Sequence, residues 1–260
     1  MTGSVDYAFP VSKLLAAPSD ATKRYAVLVS CGSYNPIHSA HVLMMHEAKR
    51  ALESEGASQV LGAYVSPVND GYGKAGLAPF SRRATVCEVM LEDDPVVMLD
   101  RWEGLQPEYV RSYYVLCHIR DSVLQYYGNS IDPSRVDVYL VCGGDLFETF
   151  YRPNCWKLSL LRKIFDEFRL AVAYRSGSQN PSDVIANTSE PITSTQEPGE
   201  SLDLRPYASK VTVFDLAPNA TSSTLIRNLL ERGEVIPEEL LPKSVASILM
   251  ELKMYAPLSP

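Results

Sequence analysis

The chain has 260 residues, 46% of them hydrophobic, enough for one large α/β domain with a substantial core. A formal net charge of −7 argues against a general nucleic-acid-binding surface, which needs a basic face. No apolar run approaches the roughly 20 residues that span a bilayer, so neither a membrane nor a nucleic-acid partner is expected.

The opening residues, MTGSVDYAFPVSKLLAAPSD, lack the basic and then apolar stretches of a secretory leader, and the five cysteines form no framework pattern. The expected location is the cytoplasm, with the nucleus as the alternative. Residues 1–22 read as a tail. Residues 25–31 form a short apolar run rich in β-branched side chains, the length of a strand buried on both faces of a parallel sheet. Gly32, Ser33, Asn35 and Pro36 break it. From Ser39 the apolar Ala40, Met44, Ala48, Ala51 and Leu52 recur at helical spacing and predict a helix over residues 39–55.

A loop that feeds a helix N-terminus offers free N–H groups and a positive dipole end, which suit an anion. Gly32 lets the backbone approach a phosphate closely, and His38 and His41, three positions apart, either project toward one point or are incidental residues of a helix cap. His46 lies far round the helix and reads as an ordinary, partly packed residue. The histidine spacing is poor for metal ligation and no cysteines form a CxxC pair, so no protein-held metal site is expected. A dinucleotide GxGxxG fingerprint fails as well, because only one glycine is present.

Further strands are predicted at residues 60–65, 96–99, 136–142, 170–174 and 211–216. Helical patterns alternate with them at residues 79–92, 108–127, 158–168, 222–232 and 238–255. Such alternation predicts a Rossmann-like, doubly wound parallel sheet with helices on both faces, whose ligand binds beyond the carboxyl ends of the strands. Residues 176–206 are rich in Ser, Thr, Pro, Glu, Gln and Asn, and read as a flexible insertion within a single domain over residues 1–260.

Four later segments carry chemistry. In the turn-rich SPVNDGYGKAGLAP, residues 66–79, Lys74 either reaches a phosphate or stays solvated. In LDRWEGLQ, Trp102 follows a strand end and is either core or a platform for a flat heterocycle. In LVCGGDLFETFYRPNCWK, Gly143 and Gly144 admit a ligand close to the backbone, and Asp145 can accept from ribose hydroxyls or cap the next helix. In NATSSTLIRNLLERG, Ser222, Ser223 and Thr224 open a helix with Arg227 one turn on, which makes either a second phosphate cradle or a plain serine cap with a surface arginine.

Taken in order, GSYNPIHSAH, SPVND, RWE, CGGDLFETF with PNCWK, and SSTLIR resemble the eukaryotic nicotinamide mononucleotide adenylyltransferases over residues 25–255, the insertion aside. The first segment resembles the (H/T)xGH signature of the nucleotidyltransferase superfamily, with Ala40 in the glycine position. The resemblance implies adenylyl transfer from ATP to nicotinamide or nicotinic acid mononucleotide, giving NAD or its deamido form and pyrophosphate. It implies that His41 acts on the α-phosphate, that His38 holds the triphosphate, and that Arg227 with Ser222, Ser223 and Thr224 binds the β and γ phosphates. Gly32, Gly143, Asp145 and Asn219 would complete the ATP site, and Ser33 and Tyr34 would lie between the two nucleotides. Trp102 and Trp156 would flank the pyridine ring with Cys155 beside it, and Lys74 would contact the mononucleotide phosphate. Mg²⁺ would ride mainly on the ATP phosphates.

The chain departs from the family pattern in two places. Gly73, Lys74 and Ala75 stand where vertebrate relatives carry a basic cluster, and Leu105 stands where relatives often have threonine. Two alternatives stay open at this level: another nucleotidyltransferase, such as one acting on phosphopantetheine, and an inactive nucleotide-binding or chaperone-like relative. Trp102 and Trp156 favour a flat aromatic substrate; His38, His41 and Arg227 favour an active enzyme. Assembly into a homo-oligomer is compatible with either.

Overall fold

The computed structural model describes residues 7–16, 23–54, 56, 58–174, 179–188, 190–217 and 221–255. In chain order its elements are β1 (Arg24–Gly32), α1 (Ser39–Ser54), β2 (Ser58–Pro67), α2 (Phe80–Leu91), β3 (Val97–Leu99), α3 (Trp102–Leu105), α4 (Ser112–Tyr127) and β4 (Val136–Gly143). There follow α5 (Gly144–Thr149), α6 (Leu158–Glu167), β5 (Arg169–Tyr174), α7 (Pro181–Asn187), β6 (Ile192–Thr193), β7 (Ser201–Leu202), β8 (Val211–Asp215), α8 (Ser223–Glu231) and α9 (Lys243–Glu251).

The run RYAVLVSCG forms the centre of a six-stranded sheet ordered β3-β2-β1-β4-β5-β8, every adjacent pair parallel. Val29 pairs with Tyr64 on one side and Leu140 on the other. Because side chains alternate along a strand, Ala26 and Leu28 pack with Met45, Val86, Ile226 and Val245 of α1, α2, α8 and α9. Val27 and Val29 pack on the opposite face with Leu116, Ile119, Leu161 and Phe165 of α4 and α6. Both faces are therefore covered, and each fully buried aliphatic side chain contributes about 1.5–3 kcal/mol. This is the expected α/β Rossmann-like fold. Strand order reverses between β1 and β4, which puts the switch point beyond Gly32 and Gly143.

Three stretches differ from expectation. The 238–255 pattern yields only α9, because Pro242 disfavours helical geometry at the residue before it. Residues 7–16, part of the expected tail, lie on the sheet: Leu15 N–H donates to Leu61 O at 2.8 Å, Tyr64 Oη donates to Pro10 O at 3.1 Å, and Phe9, Leu14 and Leu15 pack on the core. Within 176–206, the described residues form α7 and the antiparallel pair β6–β7, and Ile185, Ile192, Leu202 and Leu204 are buried. The few apolar residues of this polar segment are the ones that anchor it. Among the described residues no helix is long and apolar enough to cross a membrane.

Candidate active site

A cleft of ≈ 660 Å³ opens at the switch point, lined by His38, Ala40, His41 and Met44 of the first loop and α1, and by Gly143, Gly144, Asp145, Phe147, Glu148 and Tyr151 after β4. Ala173 and Leu216 close it at the ends of β5 and β8, with Thr221, Ser222 and Ser223 at the start of α8 and Gln179, Pro181 and Val184 of the insertion. The two anticipated phosphate cradles, one at each helix start, thus face one space.

The first loop is built around its polar residues. Tyr34 adopts φ 42°, is buried, and donates from Oη to Ser30 O at 2.8 Å; a Cβ at Gly32 would lie 3.2 Å from its ring, so the close approach favours glycine. Asn35, 2% exposed, donates to Gly76 O at 2.9 Å and accepts from Ala78 N–H at 3.0 Å and from Tyr255 Oη. One side chain therefore joins the first loop, the SPVND loop and the C-terminal region.

His38 and His41 stack with ring centroids 3.7 Å apart. The His38 backbone N–H donates to His41 Nδ1 at 3.2 Å, which makes Nδ1 an acceptor and leaves the proton of a neutral ring on Nε2. Burial, reinforced by the neighbouring His38, holds the His41 pKa well below the usual imidazole value. His41 is thus a neutral N–H donor in the cleft wall. His46 lies apart and bonds Asp94 at 2.7 Å.

At the second cradle Ser222 caps α8 by accepting from Leu225 N–H at 3.1 Å, and Ser223 Oγ donates to Pro36 O at 2.9 Å. Arg227 does not line the cleft. It donates from Nη1 to Asn35 O at 2.8 Å and from Nη2 to Thr224 Oγ1 at 3.1 Å, so it braces the first loop. Asn219 lies outside the described residues. Asp145 sits in the first turn of α5, one residue past the start that Gly143 caps without a side-chain bond. Its carboxylate lines the cleft instead of capping.

Lys74, Trp102, Cys155 and Trp156 lie outside this cleft. Lys74 Nζ donates to Ser33 Oγ at 3.3 Å, which keeps it beside the first loop. The half-buried Trp102 stacks one indole face on His118, with centroids 4.3 Å apart and planes 8° apart, and its backbone N–H donates to the fully buried Asp100 Oδ1 at 3.1 Å. Tyr7 Oη also donates to Asp100, at 2.7 Å. Trp156 Nε1 donates to Thr149 Oγ1 at 2.8 Å and Cys155 is exposed. Among the described residues no group of three or more His, Cys, Asp or Glu is placed to hold a metal ion.

The sequence reading missed Arg83, whose side chain is fully buried. Its guanidinium donates to Ala78 O at 2.6 Å, Ser33 O at 2.8 Å, Val68 O at 2.7 Å and Asp70 Oδ1 at 2.9 Å, locking both loops at the carboxyl ends of β1 and β2. A signal existed, since Arg83 shares the helical face of Phe80, Ala84, Cys87 and Leu91. Glu103, next to Trp102, was missed too: it is 2% exposed and accepts from Ser66 Oγ at 2.7 Å.

Burial pushes the Glu103 carboxyl up to about 8, with Asp100 adding to the rise and the Ser66 hydrogen bond opposing it. A raised folded-state pKa means that the folded chain holds a proton that the unfolded chain releases above the ordinary carboxylate value. Glu103 therefore lowers stability progressively as pH rises from about 4.5 toward 8. Glu103→Gln is expected to flatten the fall of Tm across this window; an unchanged pH dependence would contradict a neutral Glu103.

The sheet and the cleft at its switch point are those of a Rossmann-like α/β protein, and the chain belongs to the cytidylyltransferase-like family, whose model matches residues 29–229. Within it the chain belongs to the nicotinamide/nicotinic acid mononucleotide adenylyltransferases. It is 33% identical over 225 residues to the enzyme so named from Oryza sativa, covering 86% of this chain and 84% of that one. It is 31% identical over 258 residues to nicotinamide/nicotinic acid mononucleotide adenylyltransferase 1 of Saccharomyces cerevisiae, covering 96% of this chain but 60% of the length of that relative. The fold also matches Plasmodium falciparum nicotinic acid mononucleotide adenylyltransferase complexed with NaAD, with TM-score 0.60 at 13% identity over 89% of this chain and 97% of that one.

Proposed function

We propose that the chain transfers the adenylyl group of Mg·ATP to nicotinamide or nicotinic acid mononucleotide, releasing pyrophosphate. The observation that carries this reading is the neutral Nε2–H donor of His41, set in one cleft with the starts of α5 and α8. A mononucleotide phosphate oxygen attacks the ATP α-phosphorus; the new P–O bond forms as the bond from the α-phosphorus to its bridging oxygen breaks, and that electron pair leaves on pyrophosphate. A phosphate monoester has a second pKa of about 6 and is largely dianionic at pH 7, so no strong base is required. Catalysis then rests on in-line positioning and on stabilising charge at the α-phosphate, the part assigned to His41.

The hydroxyls, backbone N–H groups and imidazoles of the cleft suit phosphate, with Asp145 and Glu148 the carboxylates beside them, and Mg²⁺ would enter with the triphosphate. Arg227 has two N–H donors engaged and retains others of its fork for the β and γ phosphates. Trp102, backed by His118, offers its remaining surface to the pyridine ring.

Because the His41 pKa is lowered, its donor form persists above pH 6.5. The kcat/KM for ATP is therefore expected to show no loss as pH rises from 6.5 to 8.5; a decline there would mean that an imidazolium does the work. For Trp102→Ala, the mononucleotide KM is expected to rise roughly 10- to 100-fold, the scale of losing an aromatic stacking partner, with the ATP KM little changed. Equal changes in both would make Trp102 a core residue. An acceptor panel of the two mononucleotides and phosphopantetheine tests the substrate class: product with phosphopantetheine alone would overturn it.

A further inference from the structure

The loop between α5 and α6 carries Cys155 and Trp156; Phe150, Tyr151 and Trp156 pack on the core at its two ends, but its residues 152–155 are exposed, so little apolar burial holds that middle stretch. Polar contacts hold it instead. Asn154, at φ 64°, accepts at Oδ1 from Ser194 Oγ at 3.0 Å, Thr195 N–H at 2.9 Å and Thr195 Oγ1 at 3.0 Å. Gln196 Nε2 donates to Asn154 O at 3.4 Å. One turn further, Glu197 accepts from Ser159 Oγ at 2.6 Å and from Ser159 N–H at 3.4 Å, and Arg162 pairs with Glu200 at 3.6 Å. The donors are themselves fixed: Ser194 is buried, its Oγ accepts from Gln196 N–H at 3.1 Å, and Ile192 and Leu202 on either side are anchored in the core. On the opposite side Trp156 is tied to α5, the helix whose start lines the cleft, through Thr149 and an edge contact to Phe150 at 5.0 Å.

We propose that the insertion is a positioning element for the mononucleotide: its stretch 194–197 clamps the 150–157 loop at Asn154 and the first turn of α6 at Ser159, and thereby sets Trp156, which lies between them, against the pyridine ring. The proposal rests on the reading of Trp156 as a wall of the mononucleotide site. A loop held by few buried contacts opens first, and ordering it at the moment of binding weakens affinity. The clamp removes that cost before the substrate arrives.

The test combines amide hydrogen exchange across residues 150–160 with steady-state kinetics for Ser194→Ala/Glu197→Ala, for Glu197→Ala alone should the double variant unfold, for Glu197→Gln, and for Trp156→Ala. The alanine variants are expected to exchange faster in this loop and to raise the mononucleotide KM, for the double variant roughly 5- to 20-fold as befits losing two or three hydrogen bonds. The ATP KM and kcat should hold, and Glu197→Gln, which keeps an acceptor for Ser159, should restore most of the effect. Unchanged exchange overturns the clamp itself. Faster exchange with an unchanged mononucleotide KM, while Trp156→Ala raises it, overturns the positioning role. An unchanged KM in Trp156→Ala removes the site reading and the substrate half of the proposal with it, while exchange still reports on the clamp.

Discussion

His41→Ala is expected to lower kcat by roughly 10²- to 10³-fold, the scale of losing one preorganised donor to a developing charge. His41 Nδ1 is occupied by the His38 N–H at 3.2 Å, so the ring cannot turn over to present that nitrogen, and Nε2–H is the one donor left. Stacking on His38 and an edge contact from Tyr34 at 5.1 Å fix the ring plane. Burial keeps the ring neutral, so donation costs no prior protonation. The variant loses one long hydrogen bond, a stability change of about 1 kcal/mol, and should fold normally. Near-normal turnover in a folded His41→Ala protein would remove His41 from the chemistry.

Arg83→Met is expected to destabilise the chain by about 3–5 kcal/mol, the range for disrupting a buried charged network. Methionine fills much of the arginine volume, so the loss isolates the hydrogen bonds from any cavity. Three backbone carbonyls, those of Ser33, Val68 and Ala78, lose their donor together with the Asp70 carboxylate. Lysine is no substitute, since its three donors on a point charge cannot span acceptors arranged round a planar fork. Urea denaturation should show the midpoint falling with little change in slope. A loss below about 1 kcal/mol would show that the two loops hold their shape without Arg83. Because Ser33 O is one of the acceptors, the surviving folded fraction of Arg83→Met should also bind both nucleotides more weakly.

The sheet was legible because strands covered on both faces read as unbroken apolar runs, and all six appear within two residues of their expected ends. The two helix starts that line the cleft were legible for a similar reason: glycine, serine and histidine stand where strand gives way to helix. Short elements were not, since α3, α5 and α7, with four, six and seven residues, are too brief to display a period. Arg227 shows a different limit. Its place one turn into α8 was readable, but its engagement with Asn35 O depends on a contact 192 residues away. Arg83 and Asn35 escaped because a polar side chain announces neither its burial nor the distant carbonyls it satisfies. The insertion reads as polar by composition, yet four apolar side chains suffice to seat it on the core.

The central claim is that the bond broken lies between the α-phosphorus and the oxygen bridging it to the β-phosphate, with the mononucleotide as acceptor. It is tested most directly by incubating the protein with α-labelled ATP, Mg²⁺ and either mononucleotide, and following the label. The label is expected to pass into the dinucleotide, one equivalent for each unlabelled pyrophosphate released, and His41→Ala is expected to slow this transfer without redirecting it. Label found in ADP, or in AMP released without dinucleotide, would contradict it.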